Sequence, residues 1–148
     1  IESTIVGFED GEPTIYRLGG IAVEDIEQLI GSVKVLIHSS SNPKAPGLLK
    51  SHYAPRKPVF INNLKTLLQE YQIEDIGVLA FQKLAPAIPA HNQIILSKRG
   101  DFTEAAQHLF SGLRSLDAAP VKVIFVELLP EKSLGRAIND RIRRAAAK

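Results

Sequence analysis

Two short runs near the start of the chain group apolar residues with other strand-forming ones: residues 3–8 (STIVGF) and 13–18 (PTIYRL). Between them stands Glu9-Asp10-Gly11-Glu12, and Asp-Gly flanked by β-rich runs predicts a tight hairpin, because both central residues tolerate positive φ. Gly19-Gly20 ends the second strand. Over residues 23–30 the period becomes that of an amphipathic helix, with Val23, Ile26 and Ile30 at helical spacing and Gly31 as the stop. A short β-like run, Val33 to Ile37, follows.

From His38 to Pro58 the periodicity disappears. Pro43, Pro46, Pro55 and Pro58, with several serines and Gly47, leave neither a helix nor a central strand. Such a stretch predicts a linker or a lid. Extended, about 20 residues reach roughly 65 Å, whereas a domain of about 90 residues has a radius of gyration near 12 Å. The linker can therefore cross a whole neighbouring domain.

After Pro58 strands and helices alternate. Val59 to Ile61 is a short strand, and Asn62 or Asn63 caps a helix through Leu64, Leu67, Leu68 and Tyr71. The unbroken apolar run Ile76 to Phe81 predicts a strand covered on both faces. Gln93 to Leu96 is a third strand. Asp101 and Glu104 form a capping box ahead of a helix through Leu113. Val121 to Val126 is a fourth strand, and Leu134 to Ala147 a final helix. The expected fold is α/β: a three-layer, Rossmann-like parallel sheet with helices on both faces, preceded by the hairpin, a short helix and the long linker.

Composition narrows the chemistry. The 148 residues are 45% apolar and 23% charged, enough apolar material for a core. No apolar window is long enough for a membrane helix, and nothing at the start resembles a signal peptide. Cysteine is absent, which excludes thiol nucleophiles, thiolate zinc sites and disulfides. The net charge of +2 does not predict nucleic-acid binding by the chain as a whole. The chain opens on Ile1 and holds no methionine, which predicts a processed, trimmed or truncated chain, so a function carried by an upstream part has to be considered.

Catalytic motifs are missing from the α/β part. The junction Phe60-Ile61-Asn62-Asn63-Leu64 carries no glycine-rich phosphate loop, so no dinucleotide site is expected there. His38, His52, His91 and His108 are scattered and read as surface or hydrogen-bonded residues. Residues 131–148 hold six cations against Glu131 and Asp140. Cations in a last turn complement the helix dipole, and Arg136, Arg143 and Arg144 are expected to be solvated. An RNA-binding helix is the alternative reading of the same charges.

The hairpin offers more. A turn centred on Asp10-Gly11 sets Thr4 across from Arg17, a hydroxyl beside a guanidinium whose fork matches phosphate oxygens. A bulge would shift the register and bring Ser3 there instead. In the linker, Tyr53 stands among Lys50, Arg56 and Lys57, where its ring or hydroxyl could lie against a nucleotide. A surface pair without function and a solvated tether remain the plain alternatives.

Taken together, Glu2-Ser3-Thr4-Ile5-Val6 with Arg17-Leu18-Gly19-Gly20-Ile21 resembles the end of the YrdC-like catalytic domain of threonylcarbamoyl-AMP synthases. Ala45-Pro46-Gly47 with Ser51-His52-Tyr53-Ala54-Pro55 resembles the linker of the long, two-domain members. The run Leu134-Gly135-Arg136-Ala137-Ile138-Asn139-Asp140-Arg141-Ile142 resembles the last helix of their Sua-type accessory domain. The resemblance implies a division into the end of the catalytic domain at 1–37, the linker at 38–58 and the accessory domain at 59–148.

The resemblance also implies a function. The family joins L-threonine, bicarbonate and ATP to give threonylcarbamoyl-AMP and pyrophosphate, serving the t6A modification of tRNA. By motif match Ser3 would contact L-threonine, Arg17 the ATP phosphates, and Tyr53 the nucleotide as the linker folds over the site. Members usually have R-P-G where this chain has Arg17-Leu18-Gly19; the arginine is kept. No tightly bound cofactor is implied; ATP is a substrate, with Mg2+ accompanying it, and the setting is cytoplasmic. Basic residues of the catalytic domain would lie upstream, so residues 1–148 alone are expected to be inactive as a synthase. A non-enzymatic RNA- or protein-binding module is the competing reading. The isolated hairpin, with Val6, Phe8 and Ile15 uncovered, is expected to be disordered, to pack on the α/β domain, or to form a strand-mediated oligomer.

Overall fold

A computed structural model describes residues 1–36 and 54–147. Strands β1 (Ile5–Glu9) and β2 (Glu12–Arg17) form the hairpin around a turn in which Asp10 and Gly11 take φ of 51° and 81°. Both angles lie in the left-handed region that Asp and Gly accept most readily. Helix α1 (Val23–Ile30) follows, closed by Gly31 at φ 81°, whose N–H donates to the Glu27 carbonyl. Strand β3 (Lys34–Val35) then adds in parallel to β2, giving the order β1-β2-β3.

The remainder is an all-parallel four-stranded sheet. Its strands are β4 (Val59–Phe60), β5 (Ile76–Ala80), β6 (Gln93–Ile95) and β7 (Val123–Val126), in the order β4-β7-β5-β6. Helix α2 (Leu64–Glu70) covers one face. Helices α3 (Phe102–Ala118) and α4 (Gly135–Ala146) cover the other. Pleating divides β5 between two cores. Ile76, Val78 and Ala80 join Leu67 and Ile88 under α2, while Leu79 joins Leu96, Leu109, Leu113, Ile124, Ile138 and Ile142 under α3 and α4. Each such fully buried Leu or Ile contributes about 1.5–3 kcal/mol. The three-layer α/β architecture is thus the one the strand–helix alternation predicts.

Local details depart from expectation. Asn63 sits at the start of α2 but in a left-handed conformation, and its side chain caps nothing. Asp101 does cap α3, its carboxylate accepting from the Glu104 amide at 2.8 Å. The reciprocal half of a capping box is replaced: the Ser97 hydroxyl donates to the Glu104 carboxylate and accepts from the Asp101 amide at 2.9 Å. Ile30 is exposed rather than on the buried face of α1, which consists of Val23 and Ile26. Ile15 is fully buried, not uncovered; Val6 and Phe8 are exposed as expected.

The hairpin packs on the α/β part through α4. Ile15, Leu18, Val23 and Ile26 close over Ala137, whose small side chain lets the elements approach. Where the chain re-enters the α/β part it is tied down at once. The Lys57 amide donates to Asp117 at 3.0 Å, and its ammonium to the carbonyls of Leu116, Asp117 and Ala119 at 3.2, 2.6 and 2.5 Å. A cation there satisfies orphan carbonyls at the C-terminus of α3 and complements its dipole.

Candidate functional site

A β-bulge decides which hydroxyl meets Arg17. From Val6–Ile15 to Glu9–Glu12 partners follow the register expected for a two-residue turn, but the pairing shifts between Ile5 and Val6, so that Ile5 stands opposite Arg17. The extra residue is Tyr16 on the second strand, between Ile15 and Arg17, and it shifts Arg17 by one place along the first strand. Thr4 is therefore not the partner of Arg17. Its hydroxyl instead donates to the Ile21 carbonyl at 2.8 Å and accepts from the Ile21 amide at 3.1 Å. Ser3 takes the place: Arg17 Nη2 donates to Ser3 Oγ and Nε to the Ser3 carbonyl, both at 3.0 Å. Ser3 is exposed and Arg17 half-buried, so a hydroxyl and a guanidinium share one open edge of the hairpin.

The segment after Arg17 is pressed onto the segment before β1. Gly20 donates its amide to the Glu2 carbonyl at 2.9 Å. A Cβ on Gly19 would lie 2.3 Å from the Ser3 carbonyl carbon and 2.4 Å from both Glu2 O and Thr4 N. Real Cβ atoms do not come so near backbone, so residue 19 must be glycine for this approach.

Beneath that edge lies a charge cluster that motif reading did not single out. Arg141 on α4 is fully buried; its Nε donates to Glu2 at 2.9 Å, Nη1 to Asp140 at 2.5 Å and Nη2 to the Leu18 carbonyl at 2.9 Å. Asp140 also accepts from Arg144 Nε and Nη2, at 3.0 and 3.1 Å. Arg144 is thus buried in an ion network, contrary to the expectation of a solvated cation. Glu24 joins α1 to the same helix, facing Arg136 at 3.3 Å and accepting from the Ser133 amide at 3.2 Å. The signal available in the sequence was the polar triplet Asn139-Asp140-Arg141 between Ile138 and Ile142: polar residues continue round a helix whose apolar neighbours are buried.

Burial raises the Glu2 carboxyl, but its own backbone amide and the charges of Arg141 and Arg17 outweigh that and hold it below its ordinary 4.5. Glu24 is lowered by its own backbone amide, against burial, with help from the Ser133 amide and Arg136. A carboxyl whose folded pKa is depressed adds stability that is complete above its unfolded value and lost as pH falls through the folded one. The contact of the hairpin with α4 is therefore expected to hold above about pH 4.5 and to weaken below it. Thermal unfolding at about pH 6 and pH 3.5 checks this; a Tm unchanged between them, or a fall equally large in Glu2→Gln, contradicts it.

Tyr53, with His38, His52 and Lys50, lies outside the described residues. His108 Nδ1 is 2.9 Å from the Leu96 carbonyl, and His91 faces Glu74 at 3.5 Å on the surface. Among the described residues no three His, Asp or Glu side chains gather as for a metal, and no helix is long and apolar enough to cross a membrane.

Comparison with known proteins gives one answer. Residues 21–147 match the family model described as threonylcarbamoyl-AMP synthase, C-terminal domain. The threonylcarbamoyl-AMP synthase of Bacillus subtilis is 33% identical over 99% of this chain, and that of Pyrococcus abyssi 30% identical over 99%. The chain spans 45% and 46% of their lengths. The crystal structure of P. abyssi Sua5 complexed with L-threonine superposes with a TM-score of 0.75 at 28% identity, over 98% of this chain and 45% of that one.

Proposed function

The chain belongs to the threonylcarbamoyl-AMP synthase C-terminal-domain family, and on that premise we propose that it is the C-terminal part of an L-threonylcarbamoyladenylate synthase. The intact protein would join L-threonine, bicarbonate and ATP into threonylcarbamoyl-AMP and pyrophosphate, the activated precursor for t6A in tRNA. This is a cytoplasmic nucleotidyl transfer in which Mg2+ accompanies ATP. Residues 1–37 would be the end of the catalytic domain, 38–58 the linker and 59–148 the accessory domain.

The observation that carries the reading is the Ser3–Arg17 pair, brought together by a bulge at an open sheet edge. In this reading Ser3 contacts the L-threonine substrate and Arg17 the ATP phosphates, because a forked guanidinium binds phosphate oxygens bidentately. Tyr53 contacts the nucleotide from the linker. The exposed side chains of Val6 and Phe8 fit a hairpin that continues into a larger sheet built from upstream residues. A strap over the site would exclude water from carboxy-phosphate and carbamate intermediates, which hydrolyse readily. The Lys57 clamp on the end of α3 fits the same reading, since it fixes the strap's far end.

The test is the intact protein incubated with L-threonine, bicarbonate, ATP and Mg2+, with threonylcarbamoyl-AMP measured by chromatography. Product is expected from the wild type. Tyr53→Ala is expected to lower its rate about tenfold with Tm unchanged. Wild-type turnover in that variant removes the strap's role, and no product from the wild type removes the function. Salt-sensitive RNA binding by residues 1–148, together with that absence of product, would favour the non-enzymatic module instead.

A further inference from the structure

We propose that Arg141, on the last helix of the accessory part, is a positioning residue for the substrate contacts Ser3 and Arg17. This rests on the function proposed above and assigns to α4 a role separate from anchoring the linker.

The geometry is specific. The two residues Arg141 holds outside its own helix are Glu2 and Leu18, at 2.9 Å each. Glu2 directly precedes Ser3, and Leu18 directly follows Arg17. One planar guanidinium therefore grips both sides of the bulged pair, each one residue from a substrate contact. The Gly20–Glu2 bond and the Gly19 approach complete the clamp, so a shift of Glu2 carries Ser3 with it.

Burial points the same way. A guanidinium with none of its side chain exposed has lost its hydration, at several kcal/mol, and a buried ion pair seldom adds more stability than a well-packed apolar side chain. What an apolar side chain lacks is direction. Two cations, Arg141 and Arg144, face two anions, Glu2 and Asp140, so the cluster is neutral as a set. Asp140 holds both guanidinium groups and thereby fixes the fork of Arg141 on α4. Ala137 keeps the backbones close, and Glu24 with Arg136 and Ser133 fixes the other end of the helix. The hairpin cannot pivot on α4 without breaking a charged hydrogen bond.

The readout is L-threonine affinity of the intact protein by calorimetry, well below each variant's Tm, for Arg141→Lys, Glu2→Gln and the double variant. Lysine keeps the charge and loses the fork. Each single variant is expected to weaken L-threonine binding about tenfold, since small displacements of a contact cost that much. Because Arg141 acts through Glu2, the double variant is expected to be no weaker than the weaker single one. A folded Arg141→Lys or Glu2→Gln protein binding L-threonine within about twofold of wild type overturns the proposal, as does a double variant showing the full product of the two losses. Should Arg141→Lys not fold, Glu2→Gln, at a half-buried position, decides alone. A wild type that binds no L-threonine removes the proposed function and this inference with it, whereas wild-type binding with unaffected variants removes only the role of Arg141.

Discussion

Gly19→Ala is expected to cost about 3 kcal/mol of stability, the upper range for overpacking, and to weaken L-threonine binding about a hundredfold in the intact protein. The added methyl would lie 2.3–2.4 Å from backbone atoms of Glu2, Ser3 and Thr4, so it can be accommodated only by separating the two segments. Separation breaks the Gly20–Glu2 hydrogen bond and the two bonds between Thr4 and Ile21, and it withdraws Ser3 from Arg17. Gly20→Ala is the matched control. Its Cβ would have Glu2 O at 3.9 Å as its nearest neighbour, an ordinary contact, and is expected to be tolerated. Thermal unfolding and calorimetry of both variants check the contrast. Equal behaviour of the two glycines would mean that the close approach is not what holds the pair.

The fold was legible where each local signal agreed with the layer it serves. β5 reads as a two-face-covered strand because all of it is buried, and α1 has the bounds its periodicity gives. Asp10-Gly11 set the hairpin turn. The candidate site was half legible. The hydroxyl–guanidinium pairing followed from hairpin geometry, but the identity of the hydroxyl depended on one extra residue, Tyr16, between the partners of Ile5 and Val6. No sequence pattern there marks a bulge: there is no glycine at Ile15-Tyr16-Arg17, and Ile and Tyr both suit regular strands. Arg144 departs from expectation for a different reason. Arginine near a helix C-terminus is usually solvated, and only the tertiary placement of Glu2 and Leu18 makes this end of α4 an interior. Contacts separated by more than 120 residues leave no local trace. Asn63 shows the reverse error, a residue of the right type whose backbone conformation turns its side chain from the helix it precedes.

Arg17→Ala is expected to raise the KM for ATP about 10- to 100-fold in the intact protein, the loss usual for a hydrogen bond to a charged group. Arg17→Lys is expected to recover part of it, since the charge remains while the fork that holds both Ser3 Oγ and the Ser3 carbonyl is lost. L-threonine binding is expected to weaken less than ATP binding, because Ser3 keeps its place through Glu2 and Gly20. Arg17 is where the hairpin, the hydroxyl and the proposed nucleotide meet, so ATP-dependent formation of threonylcarbamoyl-AMP by Arg17→Ala is the most direct measurement. A large rise in the KM for ATP with an unchanged Tm is the predicted result. An ATP dependence indistinguishable from wild type would mean that the Ser3–Arg17 pair is a structural contact and the nucleotide site lies elsewhere.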